Sequence, residues 1–451
     1  MSEERAERRE SGIPSSDESK QRRRPKAIPG LVLLFADRKP CLRIFRADGN
    51  AIELGRVELA GDGPFDGTLS RKHVRVRYDG GFRFEDLASL NGTFVGGRRV
   101  AGEVRGPAGS TLRVGGTVLL AVADVRPFEQ HGAGPRDGII CGPTLQLALQ
   151  RAADSYHAGA RSLLIEGERG TGKGLAARAF HDAGSPPDRP FVAVDCRALS
   201  RERAAALLFG TGSAGGATTA AVDGYAHAAA GGTLWLDEIS ALPTTVQSRL
   251  LRLLETQELV REGSSQSEHV EVRLCATTFR HLRDEVAAGR FRQDLYFRLG
   301  PPELRLPALR ERLEEVPWHL QAVLDGSSPS AEEPTLFANA SFVEACLLRP
   351  WPGNVTELKA EVERATTSAL REGSQSLTAE DLDPSAGRAE PEARDTNQAR
   401  FPEDDVAKAL TLEAGNVLGA ARRLGVHRNK VRRWLERHHV DAGAFKRRSA
   451  V

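Results

Sequence analysis

The five cysteines of this 451-residue chain, Cys41, Cys141, Cys196, Cys275 and Cys346, are scattered, and no two of them make a CxxC pair. That spacing argues against a zinc site and against a disulfide framework, and sets a reducing compartment as the expectation. Long apolar runs are missing too: nothing approaches the roughly 20 residues that span a bilayer. Residues 1–29 are polar and charged and lack the apolar centre of a secretory signal. Neither charge sign dominates, since the formal net charge is +2. A cytoplasmic protein with no membrane partner is expected.

Forty per cent hydrophobic and 27% charged residues suit an ordinary globular protein, so the pattern along the chain has to decide its class. The length suggests about two to four domains, because single cores stop growing near roughly 250–300 residues. Residues 1–29 end in Lys20, Arg22, Arg23, Arg24 and Lys26 and read as a disordered, solvated tail. Between 30 and 125 the runs LVLLF, CLRIF and AIELG alternate with turn residues. HVRVRYDGGFRFEDL then alternates apolar with polar across Asp79-Gly80-Gly81, a hairpin signal. This segment predicts an all-β sandwich.

Residues 126–138 lack periodicity and read as a linker. From 139 to 370 helical stretches alternate with LLIEG, FVAVD, GTLWLDE and VRLCATT, which predicts βαβ units around a parallel sheet. A polar linker covers 371–400. A helical segment with many arginines fills 401–442.

GERGTGKG follows the strand pattern of Ser162–Ile165 and opens a helix, with P-loop spacing. Gly167, Gly170 and Gly172 let backbone amides of the loop from Gly167 through Glu168, Arg169 and Thr171 wrap phosphate oxygens. The helix end adds positive dipole, and Lys173 neutralises phosphate charge. Gly174 stands where a serine or threonine usually contacts magnesium. GGTLWLDEI is an apolar strand ending in two carboxylates: Asp237 to hold Mg2+ through water and Glu238 to polarise the attacking water. ATP with Mg2+ is the expected cofactor pair.

The stretch from Ile140 to about Thr367 resembles the AAA+ module of bacterial enhancer-binding proteins, the activators of sigma-54 RNA polymerase. GERGTGKG, LLFG, GGTLWLDEI, GRFRQDLYFRL, LPALRER and WPGNVTELKAEVERA carry the resemblance. It implies an α/β P-loop module with a helical lid, a homo-oligomer from dimer to hexameric ring, and Arg292 and Arg298 as arginine fingers toward a neighbour's nucleotide. Departures accompany the matches. AGGATTAA at 214–221 keeps only fragments of the family's polymerase-contacting GAFTGA loop. Ala226 and His227 replace a Phe-Glu pair, Phe279 and Thr356 take the two sensor positions, and Asp195 stands where an asparagine is common. Losing one charged hydrogen bond costs about 1.5–3 kcal/mol, so slow hydrolysis is expected.

In the β-rich segment, Gly55-Arg56, Ser70-Arg71-Lys72-His73 and Asn91-Gly92-Thr93 occur in order. This set resembles the forkhead-associated (FHA) domain, which reads phosphothreonine. Arg56 and Arg71 offer charge-assisted bonds to phosphate, Ser70 adds a hydroxyl, and Asn91 suits the peptide backbone. His73 is expected to brace the loop from inside. The resemblance implies a phosphothreonine-containing partner or a Ser/Thr kinase as input.

DDVAKALTLEA, VLGAARRLGV and HRNKVRRWLERH are three helical patterns, and the last two flank a Gly425-centred turn with helix-turn-helix mechanics. Ala420, Ala421, Leu424, Val426, Val431, Trp434 and Leu435 make its apolar stripe. The segment resembles the Fis-type helix-turn-helix, an all-α DNA reader. That places His427, Arg428, Asn429, Lys430 and Arg433 toward an enhancer-like DNA site. Two functions remain open: a sigma-54 activator driven by ATP turnover, or a DNA-bound regulator whose AAA+ module is only an oligomerisation switch.

Overall fold

The computed structural model describes residues 27–49, 51–59, 67–184, 188–212, 221–300, 303–327, 336–388 and 403–424, with scattered positions up to 445. The chain divides into two compact units, 1–388 and 389–451. Among the described residues no helix is long and apolar enough to cross a membrane.

The first unit opens with a β-sandwich. Its strands are β1 (Gly30–Ala36), β2 (Lys39–Arg46), β3 (Ile52–Leu54), β4 (Val74–Tyr78), β5 (Phe82–Asp86), β6 (Thr93–Val95), β7 (Arg98–Arg99), β8 (Glu103–Gly106), β9 (Thr111–Val114) and β10 (Thr117–Val122). One sheet runs β2-β1-β10-β9-β6-β7 and the other β3-β4-β5-β8. The hairpin expected across Asp79-Gly80-Gly81 is β4–β5, with Val76 opposite Phe84. Leu31, Leu33, Leu112 and Leu119 meet Val74, Val76, Phe82 and Phe84 in the sandwich core.

An open antiparallel sheet usually leaves one face to solvent. Here β1 is buried along its whole length. Val32 and Leu34, together with Val118, Leu120 and Val122 of β10, point out of the sandwich into a second core. That core is shared with Leu320, Phe342, Val343 and Trp351 of the helices Val316–Gly326 and Ala340–Leu347 and the turn that follows. The sandwich and the helical lid of the next module are therefore one packed body.

That module carries a five-stranded parallel sheet in the order Phe191–Asp195, Thr233–Asp237, Arg273–Thr278, Ser162–Glu166, Glu303–Arg305. Its three inner strands, Thr233–Asp237, Arg273–Thr278 and Ser162–Glu166, are short and largely buried, as expected for a sheet covered on both faces. Helices Lys173–Asp182 and Thr244–Thr256 flank it, and the lid adds helix Asn354–Arg371. The stretch 126–138 is folded rather than a plain linker: helix Arg126–His131 precedes Gly134–Arg136, which pairs with Ile139–Cys141. After helix Asn354–Arg371 the chain stays on the lid to residue 388, with Leu377 and Leu382 in the shared core.

The second unit holds helices Glu403–Leu412 and Val417–Arg423. The Asn416 carboxamide oxygen caps the second by accepting from the amides of Leu418 (3.1 Å) and Gly419 (3.2 Å). Val406, Leu410, Ala420, Ala421, Val431 and Leu435 make its core.

Candidate functional site

The P-loop leaves the strand Ser162–Glu166 and turns into helix Lys173–Asp182. Gly170 and Gly172 take left-handed backbone, φ 74° and 94°. At Gly170 a Cβ would meet the Gly353 carbonyl oxygen at 2.2 Å, so only glycine lets the lid approach this closely. Thr171 Oγ1 donates to the Glu168 carbonyl (2.8 Å), and Lys173 Nζ donates to the carbonyls of Gly167 (2.9 Å) and Glu168 (3.0 Å). Burial pulls the Lys173 ammonium below its usual range, opposed by the charges of Asp237 and Glu238. Its charge is thus held close to both strand-end acids.

Lid and loop are latched by residues that the sequence reading did not single out. Asn354, fully buried, donates from Nδ2 to the Arg169 carbonyl (2.9 Å) and to Glu168 Oε2 (3.1 Å), while its Oδ1 accepts from Leu309 N (2.7 Å). Arg310 grips Glu168 through two bonds of 2.6 and 2.8 Å, and Arg312 donates to the Thr171 carbonyl (2.7 Å). Their signal lay in the LPALRER and WPGNV segments. Between loop and lid lies a cavity of about 750 Å³ lined by Ile139, Ile140, Leu145, Leu175 and Val355. Its apolar wall suits the flat face of a purine base.

Glu238 sits in left-handed backbone (φ 58°) and is 4% exposed. Its carboxylate accepts from Ser240 Oγ (2.5 Å), Thr278 Oγ1 (2.9 Å) and the Phe279 amide (3.1 Å). Phe279 therefore contributes its backbone to Glu238, while its ring lies under the Arg169 guanidinium at 4.3 Å. Thr356, at the other sensor position, lines the cavity beside Lys359.

The magnesium expectation rests on Asp237 acting through water, with the usual hydroxyl contact after Lys173 already missing at Gly174. Asp237 Oδ1 accepts from Thr277 Oγ1 (2.6 Å). At Gly174 there is no side-chain oxygen, and a Cβ would come within 2.8 Å of the Trp235 ring. Arg197, not foreseen from the sequence, brings Nη2 to 3.9 Å from Asp237 Oδ2. The residues present do not fit a magnesium ion held directly by this chain.

Both expected finger arginines lie on or beside helix Gln293–Leu299. Arg292 is paired bidentately with Asp294 (3.0 and 2.6 Å), and Arg298 donates to the Leu254 carbonyl (3.3 Å). Most of the segment at 214–221 lies outside the described residues. Beside it, His227 Nδ1 accepts from the Gly224 amide (3.3 Å) and Nε2 faces Glu268 at 3.1 Å.

On the sandwich, the three motif pieces converge on adjoining loops. Arg56 donates to the Leu69 carbonyl from Nε (3.1 Å) and Nη2 (3.0 Å). Ser70 Oγ accepts from the Leu90 amide (3.1 Å), and Asn91 Nδ2 donates to the Thr68 carbonyl (2.8 Å). Arg71 is exposed. His73, fully buried, has Nδ1 accepting from the Ser70 amide (3.3 Å) and Nε2 at 3.2 Å from the Gly92 carbonyl. It braces the loops from inside, as expected. The DNA-facing set His427, Arg428, Asn429, Lys430 and Arg433 lies outside the described residues.

A family model for the sigma-54 interaction domain matches residues 142–305, and one for the FHA domain matches residues 46–115. Transcriptional regulatory protein GlrR of Escherichia coli K12 is 35% identical over 320 residues, covering 69% of this chain and 70% of that protein. Transcriptional regulatory protein ZraR of Salmonella typhimurium is 37% identical over 284 residues, 61% of this chain and 63% of that protein. Among solved structures, NtrX from Brucella abortus in complex with ATP aligns at 26% identity over 70% of this chain and 72% of that one, with a TM-score of 0.49.

Proposed function

The chain belongs to the family of sigma-54-dependent transcriptional regulators, and from that premise we propose that it is an ATP- and DNA-binding activator of sigma-54 RNA polymerase with phosphothreonine input through its FHA domain. The observation that carries the reading is the joint placement of P-loop, strand-end acids and apolar cavity, because a triphosphate needs cationic, polar and base-binding surfaces together. Lys173 and the loop amides bind phosphate, and the Ile139–Ile140 wall takes the base. Glu238 orients the attacking water once its bonds to Ser240 and Thr278 loosen. Arg292 and Arg298 reach a neighbouring subunit's nucleotide in a homo-oligomer, with Arg292 leaving Asp294 to do so. Magnesium is not carried into this reading, because position 174 offers no donor and the Arg197 guanidinium stands 3.9 Å from Asp237.

Arg56, Ser70, Arg71 and Asn91 read the phosphopeptide, and the carboxyl-terminal helices read an enhancer-like site through His427, Arg428, Asn429, Lys430 and Arg433. A cytoplasmic location goes with such partners. One observation favours the second reading, a DNA-bound oligomerisation switch: Glu238 already accepts three hydrogen bonds, which holds it away from catalysis.

Equilibrium ATP binding by the full chain tests the nucleotide assignment. Lys173→Ala is expected to abolish binding while DNA binding by the carboxyl-terminal unit persists. Equal affinity in wild type and variant overturns the assignment.

A further inference from the structure

Asp195 and Asp237 end adjacent parallel strands and are paired in register. Two carboxylates side by side repel unless a cation lies with them. Here the chain brings its own. Arg197 donates from Nε to Asp195 Oδ1 (3.0 Å) and from Nη2 to Asp195 Oδ2 (2.9 Å), and Nη2 lies 3.9 Å from Asp237 Oδ2. The Arg197 amide also donates to Asp195 Oδ1 (2.9 Å), which pins the turn that presents the guanidinium.

The other carboxylate oxygen of Asp237, Oδ1, is occupied as well. Trp235 occupies the space that a side chain at position 174 would need. Its Nε1 donates to Thr277 Oγ1 (3.3 Å), and that hydroxyl donates to Asp237 Oδ1. Arg197 is close enough to the P-loop for its charge to help depress Lys173. It remains 45% exposed, and its Nη1 enters no hydrogen bond among the described residues.

Resting on the ATP reading above, we propose that Arg197 supplies in cis the counter-charge that a divalent ion would otherwise bring to the triphosphate, so that this chain takes metal-free nucleoside triphosphate as its ligand. Lys173 neutralises the phosphates from the loop side and Arg197 from the strand-end side. A guanidinium serves because it offers several donors in one plane to phosphate oxygens.

The test is equilibrium binding of a fluorescent ATP analogue to the full-length protein, once in excess EDTA and once in excess magnesium. The wild type is expected to bind with the same affinity in both. Arg197→Ala is expected to lose roughly ten- to a hundredfold in EDTA and to recover part of it in magnesium, since Asp195 and Asp237 are then unpaired. Arg197→Lys keeps a charge and should stay nearer the wild type in EDTA. If Arg197→Ala does not fold, Arg197→Gln carries the same comparison. A wild type that needs magnesium, or an uncharged variant that binds normally in EDTA, overturns the proposal and leaves the ATP reading standing. No binding by the wild type in either buffer overturns both.

Discussion

Arg113 on β9 of the sandwich and Glu344 on a lid helix form an ion pair of 2.6 Å, with the carboxylate only 4% exposed. The same carboxylate accepts from the Gly97 amide (3.1 Å) and Thr111 Oγ1 (3.3 Å). Arg113 also lies over the ring of Phe94, 3.8 Å from its centroid. Phe94 and Gly97 belong to the β6–β7 hairpin that begins just after Asn91-Gly92. One lid carboxylate thus fastens the hairpin that continues from the peptide-reading turn. The lid in turn holds the P-loop through Asn354 and Arg312.

Glu344→Ala breaks this pair and leaves Arg113 and two other donors without their acceptor. Breaking one partner of a buried pair costs about 3–5 kcal/mol, and the partial exposure of Arg113 puts the expected loss at the lower end. A lowered melting temperature, with earlier proteolytic release of the sandwich from the lid, is the expected result. An unchanged melt contradicts the shared core.

Arg56→Ala should abolish binding to phosphothreonine peptides while the sandwich still folds, its melting temperature lowered only by the loss of the two bonds to the Leu69 carbonyl, because His73 carries the internal bracing. Fluorescence polarisation with matched phosphorylated and unphosphorylated peptides reads this directly. Binding insensitive to phosphorylation contradicts the assignment.

Glu314 gives a pH prediction. It is 3% exposed, its Oε1 has no hydrogen-bond partner, and burial pushes its carboxyl up to about 8. A carboxyl whose folded pKa lies above its unfolded value of 4.5 keeps more protons when folded. Its contribution to stability is therefore full below that unfolded value and is lost as pH rises toward about 8. Glu314→Gln removes the loss. The variant should gain about 1–3 kcal/mol over wild type at the alkaline end of this window and little at the acid end. Parallel melts across the window check it; a constant difference contradicts it.

Gly174→Ser puts a side chain into the space of the Trp235 ring. Overpacking of this kind costs about 1–3 kcal/mol, and the melting temperature should fall. Combining it with Trp235→Phe should restore much of the loss. A harmless Gly174→Ser contradicts the steric reading of that position.

Much of the site was legible because its chemistry is local. The P-loop glycines, Lys173 and the Asp237-Glu238 pair sit within short runs whose spacing sets their geometry, and Gly55-Arg56, Ser70 and Asn91 keep their order around the sandwich loops. What stayed hidden depends on contacts across the chain. The run LVLLF read as a strand, yet its apolar character on both faces was the sign of a second partner, the lid. Arg197 looked like one arginine among many until strand register set Asp195 beside Asp237. Gly174 read as a missing hydroxyl, whereas the neighbouring strand fills its place with Trp235. The stretch 126–138 lacked periodicity because its helix has six residues and its one strand three, too short for a period to register.

Open-complex formation by purified sigma-54 holoenzyme on a promoter, with this protein and ATP added at high concentration, tests the activator reading itself. Promoter opening that depends on ATP, slow but measurable, and that is lost in Glu238→Gln is the expected result. No opening by this protein, while an established activator succeeds in parallel, contradicts the activator reading.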